Sequence, residues 1–116
     1  MSFKFEKLKV WQVALELSGE VNQLTKSFPK EEIYILTSQM KRAADSVALN
    51  IAEGSTGQSD AEFKQFLGYA IRSGIEVVGC LYLARNRGYI MEAQFVILYD
   101  RMEALIIMLQ SLRKNL

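Results

Sequence analysis

Apolar residues recur at spacings of three and four along four separate stretches of the chain, which is the pattern of helices that bury one face. These stretches predict helices over about residues 8–26, 29–53, 60–87 and 91–114. No stretch shows the period-two alternation, bounded by turn residues, that predicts a strand. The predicted core positions are Val10, Ala14, Leu17, Val21, Leu24, Ile33, Leu36, Met40, Ala43, Val47, Phe63, Leu67, Ala70, Gly74, Val77, Leu81, Ala84, Met91, Phe95, Leu98, Met102, Leu105, Leu109, Leu112 and Leu116.

Short connections separate the predicted helices. Gly54 is expected to cap the second helix, and Gly88 to end the third. Ser59 followed by Glu62 has the capping-box pattern of a helix start. Because short connections imply antiparallel neighbours, we predict an all-α fold, an antiparallel up-down-up-down four-helix bundle formed as a single domain by residues 1–116.

Composition narrows the chemistry that the chain can carry. Histidine is absent from the 116 residues, which excludes catalytic dyads and metal sites that depend on imidazole. The net charge of +1 is far below that of a strongly basic nucleic-acid binder. The single Cys80 suits a reducing compartment, and neither a signal peptide nor an uninterrupted apolar run of about 18 residues is present. We expect a cytoplasmic protein with no membrane contact, no cofactor and no metal.

The second predicted helix carries a polar stripe between two apolar surfaces. At about 100° per residue its members fall within about 80° of one another. An unpaired buried polar group costs about 1 to 3 kcal/mol, so the stripe calls for partners on the third helix. We predict a structural network in which Arg42 pairs with Glu76, whereas the alternative is an enzyme of unknown type that uses the same residues without Gln39. The predicted network consists of Gln39, Arg42, Ser46, Asn50, Glu53, Ser73 and Glu76.

Other apolar residues lie outside the core stripes and indicate self-association. On the fourth helix, Ile97, Ala104 and Met108 form a stripe about 100° away from the core positions. Ile107 points outward, and Leu49 flanks the polar stripe of the second helix. Because exposed apolar surface marks interfaces, we predict that these five residues contribute to a homo-oligomer interface.

Basic residues gather at the two ends of the predicted bundle, where acidic residues dilute them. The first cluster, near both termini, is Lys4, Lys7, Lys9, Arg113 and Lys114, and the second is Lys26, Lys30, Arg85 and Arg87. If the protein binds RNA, we expect these clusters to contact phosphates with strong salt dependence. A purely protein-binding scaffold is the alternative.

Several motifs resemble a known family. They are residues 5–11, Phe28 and Pro29 followed by Glu32, residues 42–47, the Asn-Ile-Ala-Glu-Gly sequence of residues 50–54, residues 62–63 and 66–67, Ala70, Ser73, Glu76 and residues 88–90. With these motifs the chain resembles the four-helix-bundle proteins encoded in intervening sequences of bacterial 23S ribosomal RNA genes. It departs from them at Met91, where a helix-capping Ser or Thr is more usual.

The resemblance carries its own expectations. It implies a bundle, ring-like self-association in five copies and no established biochemical activity. A related protein, the accessory variability determinant of diversity-generating retroelements, forms a five-fold barrel and binds nucleic acid together with a reverse transcriptase. The resemblance therefore implies RNA, or a nucleic-acid-processing protein, as a partner.

Overall fold

Four antiparallel helices pack around one continuous hydrophobic core. The computed structural model describes residues 2–116. The helices are α1 (Lys9–Thr25), α2 (Ser38–Gly54), α3 (Asp60–Asn86) and α4 (Glu92–Lys114). Each helix packs against the next, and α1 also contacts α4, so the helices follow one another around the bundle in chain order. The predicted all-α four-helix bundle is confirmed, and residues 2–116 contain no strand.

The bundle has two distinct ends. The α1–α2 and α3–α4 connections lie at one, called the loop end below. Both termini and the α2–α3 connection lie at the other, called the terminal end. The long dimension of the molecule, 43 Å, runs between these ends.

The core follows the predicted stripes with two exceptions among large side chains. Ile33 is 46% exposed, and Met91 is 68% exposed. Ile33 opens a turn of π-helix, Ile33–Thr37, whose wider winding changes the register relative to α2. Met91 precedes α4 in extended backbone, so its side chain does not follow the helical register.

The second helix starts later than the sequence predicts. Pro29 is followed by a short 3-10 turn, Lys30–Glu32, then by the π-turn, and α2 itself begins at Ser38. The π-turn directs Tyr34 into solvent, where it is 92% exposed. The connection between α1 and α2 is therefore longer than predicted, and it carries an aromatic protrusion.

Helix α3 begins and ends as the sequence predicts. The Ser59 side chain accepts a hydrogen bond from the backbone N–H of Glu62 at 3.1 Å, although within residues 2–116 the Glu62 side chain does not return the bond. Gly88 has a φ of 76°, and Tyr89 N–H donates to the carbonyl of Ala84 at 2.9 Å. This is the left-handed glycine ending of a Schellman motif.

Gly54 has a different role from the predicted cap. It is the last residue of α2 and has no positive φ, and the C-cap position belongs to Ser55. A Cβ atom at Gly54 would lie 2.6 Å from Cβ of Phe66 and 3.0 Å from Cδ1 of Phe63. The glycine is therefore required by the close approach of α2 and α3.

The start of α4 is capped from within the helix. The side-chain oxygen of Gln94 accepts a hydrogen bond from the backbone N–H of Met91 at 2.8 Å. Gln94 occupies the third helical position, as in the returning half of a capping box. The departure from the family pattern at Met91 is compensated in this way.

By length and composition alone, α3 is apolar enough to cross a membrane. Its 27 residues include a window of mean hydropathy 1.3. In the bundle, however, Phe63, Leu67 and Leu81 are buried in the core that α3 shares with its neighbours. The core therefore accounts for part of the apolar character of α3, because 39% of this window is buried.

Candidate functional site

The centre of the predicted polar network is a closed unit between α2 and α3. Ser73 Oγ donates a hydrogen bond to Ser46 Oγ at 2.9 Å. The side-chain amide of Asn50 donates to both the carbonyl and the Oγ of Ser46, each at 2.9 Å. These half-buried groups satisfy one another and hold the two helices together.

The predicted ion pair between Arg42 and Glu76 is not formed. The side-chain amide of Gln39 donates instead to Glu76 Oε2 at 3.3 Å. Arg42 lies about 60° further around α2 than Gln39, on the outward face. Its guanidinium is exposed and makes no ion pair or hydrogen bond within residues 2–116.

The six residues of the enzyme alternative do not converge. Glu53 is exposed, and about 16 Å of helix separates it from the position of Arg42. Glu76 lines a shallow cleft of about 390 Å³ with Arg42 at the loop end, whereas Glu53 lines a different cleft near the terminal end. The side chains are thus spread along the α2–α3 contact, and no cleft holds both carboxylates.

A second polar cluster, which sequence reasoning missed, joins the two connections at the loop end. Glu32 is only 7% exposed and accepts a hydrogen bond from the Tyr89 hydroxyl at 2.6 Å. The same carboxylate pairs with the Arg87 guanidinium at 3.1 Å and accepts from Leu36 N–H at 3.4 Å. Glu32 therefore fixes the π-turn to the α3–α4 connection.

Ionisation in this cluster favours charged Glu32 and neutral Tyr89. The Tyr89 hydrogen bond, the Leu36 N–H and the Arg87 charge together lower the pKa of Glu32, although burial opposes them. The hydrogen bond to Glu32, together with burial and the nearby negative charge, raises the pKa of Tyr89. A sequence signal existed: Glu32 follows the Phe28 and Pro29 turn, and Tyr89 follows Gly88, in two connections that share one end of the bundle.

The basic cluster at the loop end is largely neutralised. Arg87 is paired with Glu32, and Arg85 pairs with Glu92 at 3.1 Å. The Arg85 guanidinium also lies 3.8 Å from the centre of the Phe95 ring. At this end only Lys26 and Lys30 of the predicted cluster make no ion pair within residues 2–116.

The basic cluster at the terminal end keeps its positive charge. Within the described part of the chain, none of its members takes part in an ion pair. Lys4 Nζ lies 5.6 Å from the centre of the Phe63 ring, and the Arg113 guanidinium lies against Gly68. All five members of the cluster are exposed: Lys4, Lys7, Lys9, Arg113 and Lys114.

The residues predicted for an oligomer interface lie on more than one face. Ile97 and Ile107 on α4 are 57% and 59% exposed, and Leu49 on α2 is 61% exposed. Ala104 is also exposed, whereas Met108 is half-buried. Of these five residues, only Ile97 adjoins the groove between α1 and α4 near the loop end.

This groove, called the α1/α4 groove below, has a volume of about 650 Å³. It lies between the first and last helices, which pack less closely than the other neighbouring pairs. Arg101 of α4 spans it, with an ion pair to Glu16 at 3.1 Å and a second ion pair to Glu20. The groove is lined by Glu16, Gly19, Glu20, Gln23, Leu24, Gln94, Ile97, Leu98 and Arg101.

Fold and site together define an antiparallel four-helix bundle whose polar residues hold helices and connections together. Residues 2–116 contain no group of three or more acidic or cysteine side chains placed to hold a metal ion. The chain belongs to the family of 23S rRNA-intervening sequence proteins, because the family model matches residues 6–111. The resemblance inferred from the sequence motifs is thereby confirmed.

A solved structure supports the same assignment. The chain is similar to a protein of unknown function from the S23 ribosomal protein family of Bacteroides thetaiotaomicron VPI-5482, with a TM-score of 0.84 and 25% sequence identity. The match covers 90% of this chain and 95% of that chain. A comparison with curated proteins finds no match.

Proposed function

We propose that this protein is a non-catalytic interaction protein that works as a homo-oligomer. The observation that supports this proposal is the exposed apolar surface of α4, where Ile97 and Ile107 are each more than half exposed. Exposed apolar surface on a folded chain marks sites of association, and Ile97 and Ile107 lie about 15 Å apart along α4. A second copy of the chain would remove these side chains from water.

The centre of the polar network between α2 and α3 supports the non-catalytic part of the proposal. Ser46, Asn50 and Ser73 satisfy one another's hydrogen bonds, so none of them is held ready for a substrate. The acidic candidates Glu53 and Glu76 line separate clefts, and paired acid–base chemistry needs two groups within reach of one reacting atom.

Light scattering on three proteins tests self-association. We expect the unmodified chain to have a mass that is a multiple of 13.2 kDa, and the family resemblance favours five copies. The variant Ile97→Asp places a charge on the proposed surface and should shift the mass towards the monomer. Leu83→Asp is the control, because Leu83 on α3 is also exposed and lines no cleft with α4 within residues 2–116.

Two outcomes of this experiment would contradict self-association through α4. A monomeric unmodified chain would refute the proposal. An oligomer that Leu83→Asp dissociates and Ile97→Asp leaves intact would contradict the role of α4.

Contact with RNA through the terminal end is a second candidate function. It is favoured by the five exposed cations there that have no ion pair within residues 2–116, in contrast to the neutralised arginines at the loop end. In a closed ring the same cluster would repeat around one rim, and many weak phosphate contacts gain affinity together. Such binding should weaken steeply with salt and show little sequence preference.

RNA binding measured across a salt series tests this candidate. We expect Lys7→Glu with Lys9→Glu to abolish binding, and Lys26→Glu with Lys30→Glu at the loop end to leave most of it. The control avoids Arg85 and Arg87, because those side chains hold ion pairs. If no RNA binds at low salt, or if both double variants weaken binding equally, the terminal cluster is ordinary solvated surface.

A further inference from the structure

The α1–α2 connection forms an apolar protrusion, residues 33–35, that the fold leaves exposed. Tyr34 is 92% exposed, Ile35 is 60% exposed and Ile33 is 46% exposed. The π-turn sets this conformation, and the Leu36 N–H bond to the buried Glu32 carboxylate holds the turn in place. An aromatic and two branched aliphatic side chains therefore project from a fixed piece of backbone, and of the three Tyr34 and Ile35 line one cleft.

The α1/α4 groove is a concave surface near the loop end, the end of the bundle that also carries the protrusion. Gly19 lines it, and no other part of the chain lies within 4 Å of the position that a Cβ atom would take there. A glycine within a helix costs about 1 kcal/mol relative to alanine, and no intramolecular contact at Gly19 explains it. Ile97, Leu98 and Leu24 supply apolar walls.

The protrusion and the groove lie on opposite sides of the bundle. Tyr34 and Ile35 line the cleft between α2 and α3, whereas the groove separates α1 from α4. The second half of α1 and the first turn of α2 both adjoin the loop end, so the two features occupy the same half of the molecule. One copy can therefore contact the next with their long axes side by side.

The charges beside the protrusion and beside the groove are complementary. Beside the protrusion, the Arg42 guanidinium has no ion pair within the described residues, and the Glu76 carboxylate that lines the same cleft accepts a hydrogen bond from Gln39 instead. On the rim of the groove, Glu16 and Glu20 share the single cation of Arg101, which leaves one negative charge uncompensated. An arginine from a neighbouring copy fits this deficit.

We propose that residues 33–35 of one copy insert into the α1/α4 groove of the next copy, with Arg42 directed to Glu16 and Glu20. This assignment rests on the proposed homo-oligomer and specifies its interface. The two contact surfaces differ, so the contact is heterologous and copies add head to tail. Head-to-tail contacts form a ring of fixed mass if the rotation between successive copies closes, and an open filament if it does not, so a discrete oligomer mass corresponds to a ring.

Filling the groove tests the assignment without damaging the fold. The Cβ atom that Gly19→Leu adds meets no atom within 4 Å outside the local helix backbone, and leucine is a strong helix former, so helical circular dichroism should show an intact fold. We expect this variant to be a monomer of 13.2 kDa by light scattering. Gln110→Leu, an exposed α4 position towards the terminal end, is the control and should remain associated.

A mixing experiment tests the head-to-tail arrangement. Tyr34→Ser with Ile35→Ser removes the protrusion and leaves the groove intact, whereas Gly19→Leu does the reverse. Each variant alone should be monomeric. Mixed in equal amounts they should form a dimer of about 26 kDa, twice the chain mass of 13.2 kDa, because one intact surface of each kind remains.

The outcomes separate this inference from the proposed function. An unmodified chain that is monomeric refutes both. An oligomeric unmodified chain whose Gly19→Leu variant and protrusion variant also remain oligomeric refutes the insertion alone. Monomeric variants that stay monomeric when mixed contradict the pairing of protrusion with groove.

Discussion

Replacement of Gly54 by alanine should destabilise the protein, although glycine is a poor helix former. The new methyl group would lie 2.6 Å from Cβ of Phe66, an atom attached directly to the α3 backbone, and 3.0 Å from Cδ1 of Phe63. Rotation of the Phe66 ring cannot relieve the first contact. The end of α2 must therefore move away from α3.

A matched pair of variants isolates the cost of this contact. Overpacking costs about 1 to 3 kcal/mol in free energy of unfolding. We expect a cost of about 3 kcal/mol here, because the Cβ atom of Phe66 is attached to the backbone and cannot rotate away. Glycine to alanine within a helix gains about 1 kcal/mol, so Gly54→Ala should lose about 2 kcal/mol in net stability. Gly79→Ala on α3 meets no atom within 4 Å and should gain about 1 kcal/mol.

Urea unfolding followed by helical circular dichroism measures the difference. All three proteins are compared at one chain concentration, because self-association would otherwise change the apparent stability. The two variants should differ by about 3 kcal/mol in free energy of unfolding, which is the cost of the overpacked contact. If Gly54→Ala is as stable as Gly79→Ala, the close approach of α2 and α3 is refuted.

Three further predictions concern polar and titratable groups. The stabilisation that charged Glu32 provides should be present above its ordinary pKa of 4.5 and lost as pH falls through the lowered pKa of the folded protein. The free energy of unfolding of Glu32→Gln, measured in urea, should therefore change less with pH in the acid range than that of the unmodified protein. Equal pH dependence of the two proteins would contradict this. Burial raises the pKa of Cys80 to about 11, so a thiol reagent at pH 8 should label it only after denaturation, and rapid labelling of the folded protein would contradict its burial. A double-mutant cycle of Ser46→Ala and Ser73→Ala should give a coupling of about 1 kcal/mol, whereas additive losses would show that their hydrogen bond contributes nothing.

The helices could be predicted because their signals are local. Apolar spacing identifies the buried face of each helix, and Ser59 and Gly88 mark ends through their own backbone chemistry. The π-turn at Ile33 has no comparable signal, because helical spacing of apolar residues continues through it. The late start of α2 and the exposure of Tyr34 therefore emerge only from the folded chain.

The polar contacts could be predicted only to the level of the helix pair. Sequence periodicity places Gln39 and Arg42 on one stripe, but the rotation of α2 against α3 decides which of them reaches Glu76. A difference of about 60° around the helix separates the two outcomes. The bonds from Glu32 to Arg87 and Tyr89 depend on how two connections distant in sequence meet, which no local pattern encodes.

The mass of the unmodified protein in solution decides whether the chain self-associates. Sedimentation equilibrium over a wide range of concentrations should give a discrete multiple of the 13.2 kDa chain mass, with five copies as the number that the family resemblance favours. A mass of 13.2 kDa at every concentration would contradict the account, because the exposed side chains of Ile97 and Tyr34 would then have no second copy to cover them.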